Sequence, residues 1–208
     1  MRTGRPRSFC VEEALDSAMD VFWRKGYEGA SLTDLTAAMN IAAPSLYACF
    51  GSKEGLFRAV LERYDQRREG FLSEVLDAPT ARDVATLFLK GLVERATDPK
   101  TPGCLLVQSG QAADDTTIPD MVARHRAEKE AAVRERFETA KRQGDLPGSS
   151  DPAALARYLM TIANGICVQA AAGASAKELN DVADIALMSF PASAKPKKKT
   201  ASEHVAAS

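Results

Sequence analysis

The sequence predicts an all-α protein of about nine helices, with an N-terminal three-helix unit followed by a larger helical part. Three observations carry that expectation. Apolar residues return at three- and four-residue spacing along most of the chain, the period of a helix with one buried face. Residues that start and stop helices stand at the ends of those stretches. No stretch alternates apolar and polar residues between turn signals, as a half-buried strand would. The 208 residues leave room for one large domain or two small ones. At 45% hydrophobic and 26% charged, the composition is that of an ordinary soluble globular chain.

The elements follow in order. Residues 1–9 read as a flexible basic arm carrying Arg2, Arg5 and Arg7. Over 11–25, Val11, Ala14, Leu15, Ala18 and Phe22 form one helical stripe, and Gly26 can end it. Ser31 offers a cap to a second helix, with Asp34 three residues on as a short capping box. Leu32, Leu35 and Met39 share a face of that helix, and Asn40 tolerates the left-handed conformation of a tight turn. Pro44 suits the first turn of a third helix running to about Phe50. Gly51 breaks it and Ser52 caps a long fourth helix, with Leu56, Phe57, Val60, Leu61 and Tyr64 inward and an end expected near Gly70. Further helical patterns cover 81–96, about 101–113, 119–143, 151–172 and 176–190. Asp151-Pro152 is a cap followed by proline at the first helical position. The tail, 191–208, is rich in Ala, Ser, Lys and Pro, including Lys195, Lys197, Lys198 and Lys199, and is expected to be disordered.

Two short helices joined by a tight turn, followed at once by a third, is the layout of a helix-turn-helix. The residues that fill it are specific. Val21-Phe22-Trp23-Arg24-Lys25-Gly26-Tyr27, Ser31-Leu32-Thr33-Asp34-Leu35, Ile41-Ala42-Ala43-Pro44-Ser45-Leu46-Tyr47 and Phe50-Gly51-Ser52-Lys53-Glu54-Gly55-Leu56-Phe57 resemble the TetR family of bacterial transcriptional regulators. The specific match covers roughly residues 8–64; beyond it the chain matches in helix number and order. Asn40 and Thr36 stand where the family usually has glycine and alanine. The resemblance implies DNA-binding by a homodimer, repression as the family's usual mode with activation as the alternative, and release by a small-molecule inducer. The corresponding division is a helix-turn-helix domain at 10–54 and a ligand-binding and dimerisation domain at 55–190.

The chemistry of the motif can be read beside the resemblance. Leu46 and Phe50, four apart and apolar, should face inward. Pro44, Ser45, Tyr47, Ala48 and Cys49 are left for the DNA side or its edge. Tyr47 can donate its hydroxyl to a phosphate and lay its ring on a sugar or a thymine methyl. This face holds no Arg, Asn or Gln, the usual bidentate base readers, so phosphate positioning and DNA shape are expected to carry much of the specificity. Thr33 and Lys53, each in the first turn of a helix, are placed to grip phosphates. The family commonly contacts DNA at the positions of Thr33, Tyr47 and Lys53. Arg5 and Arg7 could enter the minor groove. The net charge of −1 does not oppose this, since DNA needs local rather than global positive charge.

A single helix-turn-helix buries too little surface for tight specific binding, which calls for a dimer on a palindromic site. Leu155, Tyr158, Leu159, Ile162 and Ile166, then Leu179, Val182 and Ala186, form apolar stripes on the last two helices and are the expected dimer interface, a four-helix bundle in the family. Phe88, Leu92, Cys104, Val107, Gln108, Gln111, His125, Phe137, Asn164 and Cys167 are the candidate lining of an inducer pocket, mostly apolar with a few polar groups. Cys104, read as lying in the first turn of a helix after Pro102-Gly103, is an alternative sensor of oxidants or electrophiles, because a helix N-terminus favours the thiolate. His125, among Arg124, Arg126 and Glu128, has a plain surface role as its alternative.

Other functions are weighed by absence of pattern. Cys10, Cys49, Cys104 and Cys167 form no CxxC pair, so neither zinc nor another metal, and no cofactor, is expected. His125 and His204 stand apart, and no nucleophile–base spacing or phosphate-binding glycine loop appears, so no enzyme is expected. No apolar run of about 18 residues suggests a membrane span. The N-terminus lacks a signal-peptide core, so a cytoplasmic location is expected. A helical protein–protein adaptor would account for the bundle but not for Ser45-Leu46-Tyr47 followed by Phe50-Gly51-Ser52-Lys53.

Overall fold

A computed structural model describes residues 10–109 and 117–192. Arg5, Arg7, Gln111, His204 and the lysines of the tail lie outside that range. Nine helices and no strand occur among the described residues: α1 Val11–Gly29, α2 Leu32–Met39, α3 Ala43–Phe50, α4 Lys53–Leu76, α5 Ala81–Ala96, α6 Leu105–Ser109, α7 Thr117–Arg142, α8 Pro152–Ala171 and α9 Ala176–Met188.

The local rules that end these helices are visible in the atoms. Gly26, at φ 68 and ψ 176, breaks α1 and leaves a last turn to Gly29. The Ser31 hydroxyl accepts from the Asp34 amide while the Asp34 carboxylate accepts from the Ser31 amide, closing a capping box on α2. Asn40 ends α2 at φ 52 and ψ 44, the left-handed turn conformation that asparagine tolerates. Ser52 caps α4 through the Gly55 amide and Asp151 caps α8 through the Ala153 amide. Two expectations about length fail. α4 does not stop at Gly70 but continues to Leu76, because the residues after it pack on the second core and hold the glycine in register. α6 starts only at Leu105; the Pro102-Gly103 break extends to Cys104, whose carbonyl accepts from the amides of Val107 and Gln108 and which therefore caps the helix instead of lying in its first turn.

Two hydrophobic clusters organise the chain. The first holds α1, α2 and α3 on the first half of α4, with Phe22, Leu35, Leu46 and Phe57 fully buried. Phe57 meets the Phe22 and Tyr27 rings edge-on at 4.9 and 5.1 Å. Each such buried side chain contributes about 1.5–3 kcal/mol of transfer free energy. The cluster does not close within the first four helices: Leu105 and Leu106 of α6, and Ile118, Met121 and Val122 of α7, also belong to it. The second cluster joins the end of α4 with α5, α7, α8 and α9. α8 lies across α5 and α7, and α9 across α5 and α8. Cys104 touches both clusters and marks their seam.

The second cluster corrects part of the expected dimer interface. Leu159, Ile166, Leu179 and Ala186 are buried inside the chain itself, and Leu155, Tyr158 and Ile162 are half-buried against the same core. The Tyr158 hydroxyl donates to the Ala186 carbonyl and ties α8 to α9. A helical stripe that packs within the chain has the same period as one that packs on a partner, so the pattern alone did not separate Leu159, Ile166, Leu179 and Ala186 from residues free to meet a partner. Of the eight, only Val182 is exposed. The apolar residues that do face outward on these helices are Val168, Val182, Ile185 and Met188, the last 75% exposed.

Candidate nucleic-acid interface and adjoining cavity

α3 is anchored by one residue and offers its opposite face. Leu46 is completely buried and Phe50 half-buried against the first cluster. Tyr47 stands 47% exposed, an unusual position for a large ring, with Pro44 and Ala48 exposed beside it. Ser45 and Cys49 sit at the half-buried edges of this face. Thr33 is exposed in the first turn of α2, and the exposed residues Ala37 and Asn40 follow it on that helix. Lys53 is less open than expected. Its ammonium lies 4.5 Å from the centre of the Tyr27 ring and 3.5 Å from the Glu28 carbonyl oxygen. Burial lowers its pKa, with Glu28 acting in the opposite direction. A lysine held this way presents its charge at a fixed point, which suits positioning of a phosphate. Asp34, the one acid in the first turn of α2, is paired at the surface: Lys25 lies 2.7 Å from it, and with Ser31 holds its carboxyl at about 2.

Behind this surface, at the seam of the two clusters, lies a cavity of about 260 Å³, close to the lower end of the ~300–1,000 Å³ range of small-ligand pockets. Phe88, Leu92, Cys104, Val107, Asn164 and Cys167, six of the expected lining residues, are on its wall. Three others are not. Phe137 is fully buried in the second core and packs on Phe190 at 5.4 Å. Gln108 turns away to donate to the Pro102 carbonyl at 2.8 Å. His125 stands behind the wall, its Nδ1 2.7 Å from Asp65. The pattern missed Tyr64, Asp65, Phe71, Arg126, Lys129 and Met160, which with Leu72, Leu106 and Ala163 complete the wall. They come from the later part of α4, from α6, from α7 and from α8, and only the folded crossing of these helices brings them together.

One connection joins the cavity to the helix-turn-helix region. Trp23 of α1 donates its indole N–H to the Pro102 carbonyl at 2.8 Å, the same oxygen that accepts from Gln108. Trp23 also meets the Tyr64 ring edge-on at 5.5 Å, and the Tyr64 hydroxyl lies 3.2 Å from the Cys104 sulfur. The next residue, Gly103, is at φ 82, and a Cβ there would lie 2.8–2.9 Å from Gln108 Nε2, the Ala171 Cβ and the Cys167 carbonyl oxygen. Glycine is required both by the backbone conformation and by the closeness of α8. α1, the 102–104 turn and α8 are thus locked at one point.

Comparison with known proteins gives a consistent picture. Residues 14–60 match the profile of bacterial regulatory proteins of the tetR family, and residues 84–186 the profile described as Tetracyclin repressor-like, C-terminal domain. The chain is 33% identical over 193 residues to the HTH-type transcriptional repressor ComR of Escherichia coli, covering 90% of this chain and 92% of that protein. It is 30% identical over 189 residues to the uncharacterized HTH-type transcriptional regulator YezE of Bacillus subtilis, covering 88% and 97%. Among solved structures, a cysteine-substituted form of the TetR-family regulator CifR in complex with 26-base-pair operator DNA superposes with a TM-score of 0.86 at 40% identity, covering 90% of this chain and all of that one.

Proposed function

This chain belongs to the TetR family of bacterial regulatory proteins, and from that premise we propose that it is a ligand-responsive repressor which binds a palindromic operator as a homodimer and is released by a small-molecule inducer. Residues 10–54 read the DNA, and residues 55–190 hold the ligand and form the dimer. The working location is the cytoplasm, and the protein acts by binding rather than by catalysis. Among the described residues no helix is long and apolar enough to cross a membrane.

The observation that carries the reading is the seam. The cavity wall includes Tyr64 and Cys104, and Trp23 of the reading head packs on Tyr64 and bonds the turn that leads into Cys104. A ligand that prefers one setting of that turn shifts the position of α1 and hence of α3, and its differential affinity for the two settings limits the size of the response. The outward apolar face of Val168, Val182, Ile185 and Met188 supports dimerisation through α8 and α9. The relatives named as repressors, and the operator complex of CifR, support repression through DNA. Tyr47, Thr33 and Lys53, with Pro44, Ser45, Ala48 and Cys49 around them, are the proposed contacts.

The test is an anisotropy titration against the DNA upstream of the gene. Binding should weaken steeply with salt, since phosphate contacts release counterions. Tyr47→Ala should lose on the order of tenfold or more in affinity while keeping its helical spectrum, because it removes a phosphate or base-edge contact worth roughly 1–3 kcal/mol. Salt-insensitive binding, or a Tyr47→Ala protein that binds as well as the wild type, overturns the assignment.

A second reading is favoured by the placement of Cys104 in the cavity wall, where a bound electrophile would meet its sulfur. Mild alkylation of the native protein followed by peptide mapping decides: Cys104 left unmodified under those conditions sinks the thiol-sensor reading.

A further inference from the structure

We propose that the cavity accepts an amphiphilic organic anion, a compact apolar body bearing a carboxylate, and that Arg126 receives the acid group. The inference rests on the cavity being the effector site and names the class of effector it takes.

Arg126 reaches the cavity from α7. Its Nη2 donates to the Leu106 carbonyl at 2.9 Å, but its Nε is buried and has no acceptor among the described residues. No carboxylate among the described residues lies within ion-pair distance of it. The other cation on the wall, Lys129, is engaged by Asp65 at 2.8 Å, and the same carboxylate takes His125 at 2.7 Å. Among the described residues the wall thus holds two permanent cations and one carboxylate, and that carboxylate is engaged by Lys129 and His125 rather than by Arg126. A buried guanidinium N–H without an acceptor is a standing cost until an acceptor arrives. The planar fork of arginine fits a carboxylate better than a neutral oxygen, with two charge-assisted bonds in place of one. Asn164, also on the wall, makes no hydrogen bond among the described residues, so its amide is a second donor. Phe71, Phe88, Leu92 and Met160 supply the apolar remainder. Asp65 on the same wall opposes a second negative charge, which favours a monoanion over a phosphate.

The test uses the full-length protein and matched probes: octanoate against 1-octanol, and 2-naphthoate against 2-naphthalenemethanol. Calorimetry reads all four. Trp23, the single tryptophan, packs on Tyr64 of the wall and reports the octanoate pair by its fluorescence. Each acid should bind at least about tenfold more tightly than its alcohol. Arg126→Gln should erase that preference while leaving the alcohols within about twofold of their wild-type affinity, and Arg126→Lys should retain part of it. If Arg126→Gln does not fold, the wild-type ratio and Arg126→Lys decide. Alcohols that bind as well as acids, or an acid preference that survives Arg126→Gln, overturn the proposal and leave the effector cavity standing. If neither acid nor alcohol binds the folded wild type, the proposal fails together with the effector-cavity reading.

Discussion

The cluster around α1, α2 and α3 and the cluster between α5, α7, α8 and α9 are both built of buried apolar side chains, yet their outer faces differ. The first presents short polar and small residues around one exposed aromatic ring, Tyr47, with Lys53 fixed against Tyr27. The second presents Val168, Val182, Ile185 and Met188, and at its border with the first lies a cavity on whose wall Arg126 has no carboxylate partner among the described residues. The reading head is shaped for a polar, charged partner and its companion for apolar ones. In the homodimer proposed above the two regions depend on each other: a reader of this size holds a long operator only with a second copy, and the outward apolar face of α8 and α9 is where that copy would dock.

The largest effect should come from breaking that dependence. Ile185→Asp combined with Met188→Asp puts two charges on the outward face of α9 without touching either core, since both side chains are well exposed. Sedimentation should show a monomer with an unchanged helical spectrum. Operator affinity should fall by about 10²- to 10⁴-fold, the loss expected when two linked half-sites are reduced to one. A double variant that stays dimeric would place the interface elsewhere.

These two outer faces were not equally legible in the sequence. In the reading head, caps, turn residues and anchors follow from local chemistry: Ser31 with Asp34, Asn40 and Leu46 each act within a few residues of themselves. In the companion, Leu159 and Ile166 look the same in sequence whether they meet α5 or a second copy, and the structure places them inside. Arg126 and Lys129 read as ordinary surface charges of a long amphipathic helix. Their place on the cavity wall depends on where α7 crosses α4 and α8, which no local pattern encodes. Trp23 was visible as part of the family motif, but its bond to Pro102 spans 79 positions.

The seam between the regions gives the next effect in size. Gly103→Ala places a Cβ 2.8–2.9 Å from Gln108 Nε2, the Ala171 Cβ and the Cys167 carbonyl oxygen, at a positive φ that alanine resists. It should destabilise by about 1–3 kcal/mol, as overpacking does. Because the turn also carries the Trp23 bond, operator affinity should change although residue 103 is far from α3 in sequence. Gly148→Ala, where no atom lies within 4 Å of the added Cβ, should change neither. An operator affinity unmoved by Gly103→Ala would show that the seam holds the two regions together without coupling them.

The smallest effect compares one motif in both regions. Capping boxes start α2, through Ser31 and Asp34, and α9, through Ser175 and Glu178. Both acids have lowered pKa values, but for different reasons. Lys25 of α1 is the first cause at Asp34, which it bonds directly, and Ser31 follows, taking the carboxyl from 3.8 to about 2. At Glu178 the Ser175 side chain leads and the neighbouring Lys177 contributes last. A carboxyl that binds its proton less readily when folded stabilises the fold above its unfolded pKa, and that contribution is lost as pH falls through the folded value. For Asp34 the loss runs from about pH 4 down to about pH 2. Thermal melts across that window should show the stability difference between wild type and Asp34→Asn shrinking as pH falls. The corresponding difference for Glu178→Gln should be smaller, since its box ties α9 only to itself. Added salt should weaken the Asp34 effect, because the pair is exposed to solvent. An Asp34→Asn difference that holds constant through the window would mean that the α1–α2 contact depends on Ser31 and packing rather than on the charge of Asp34.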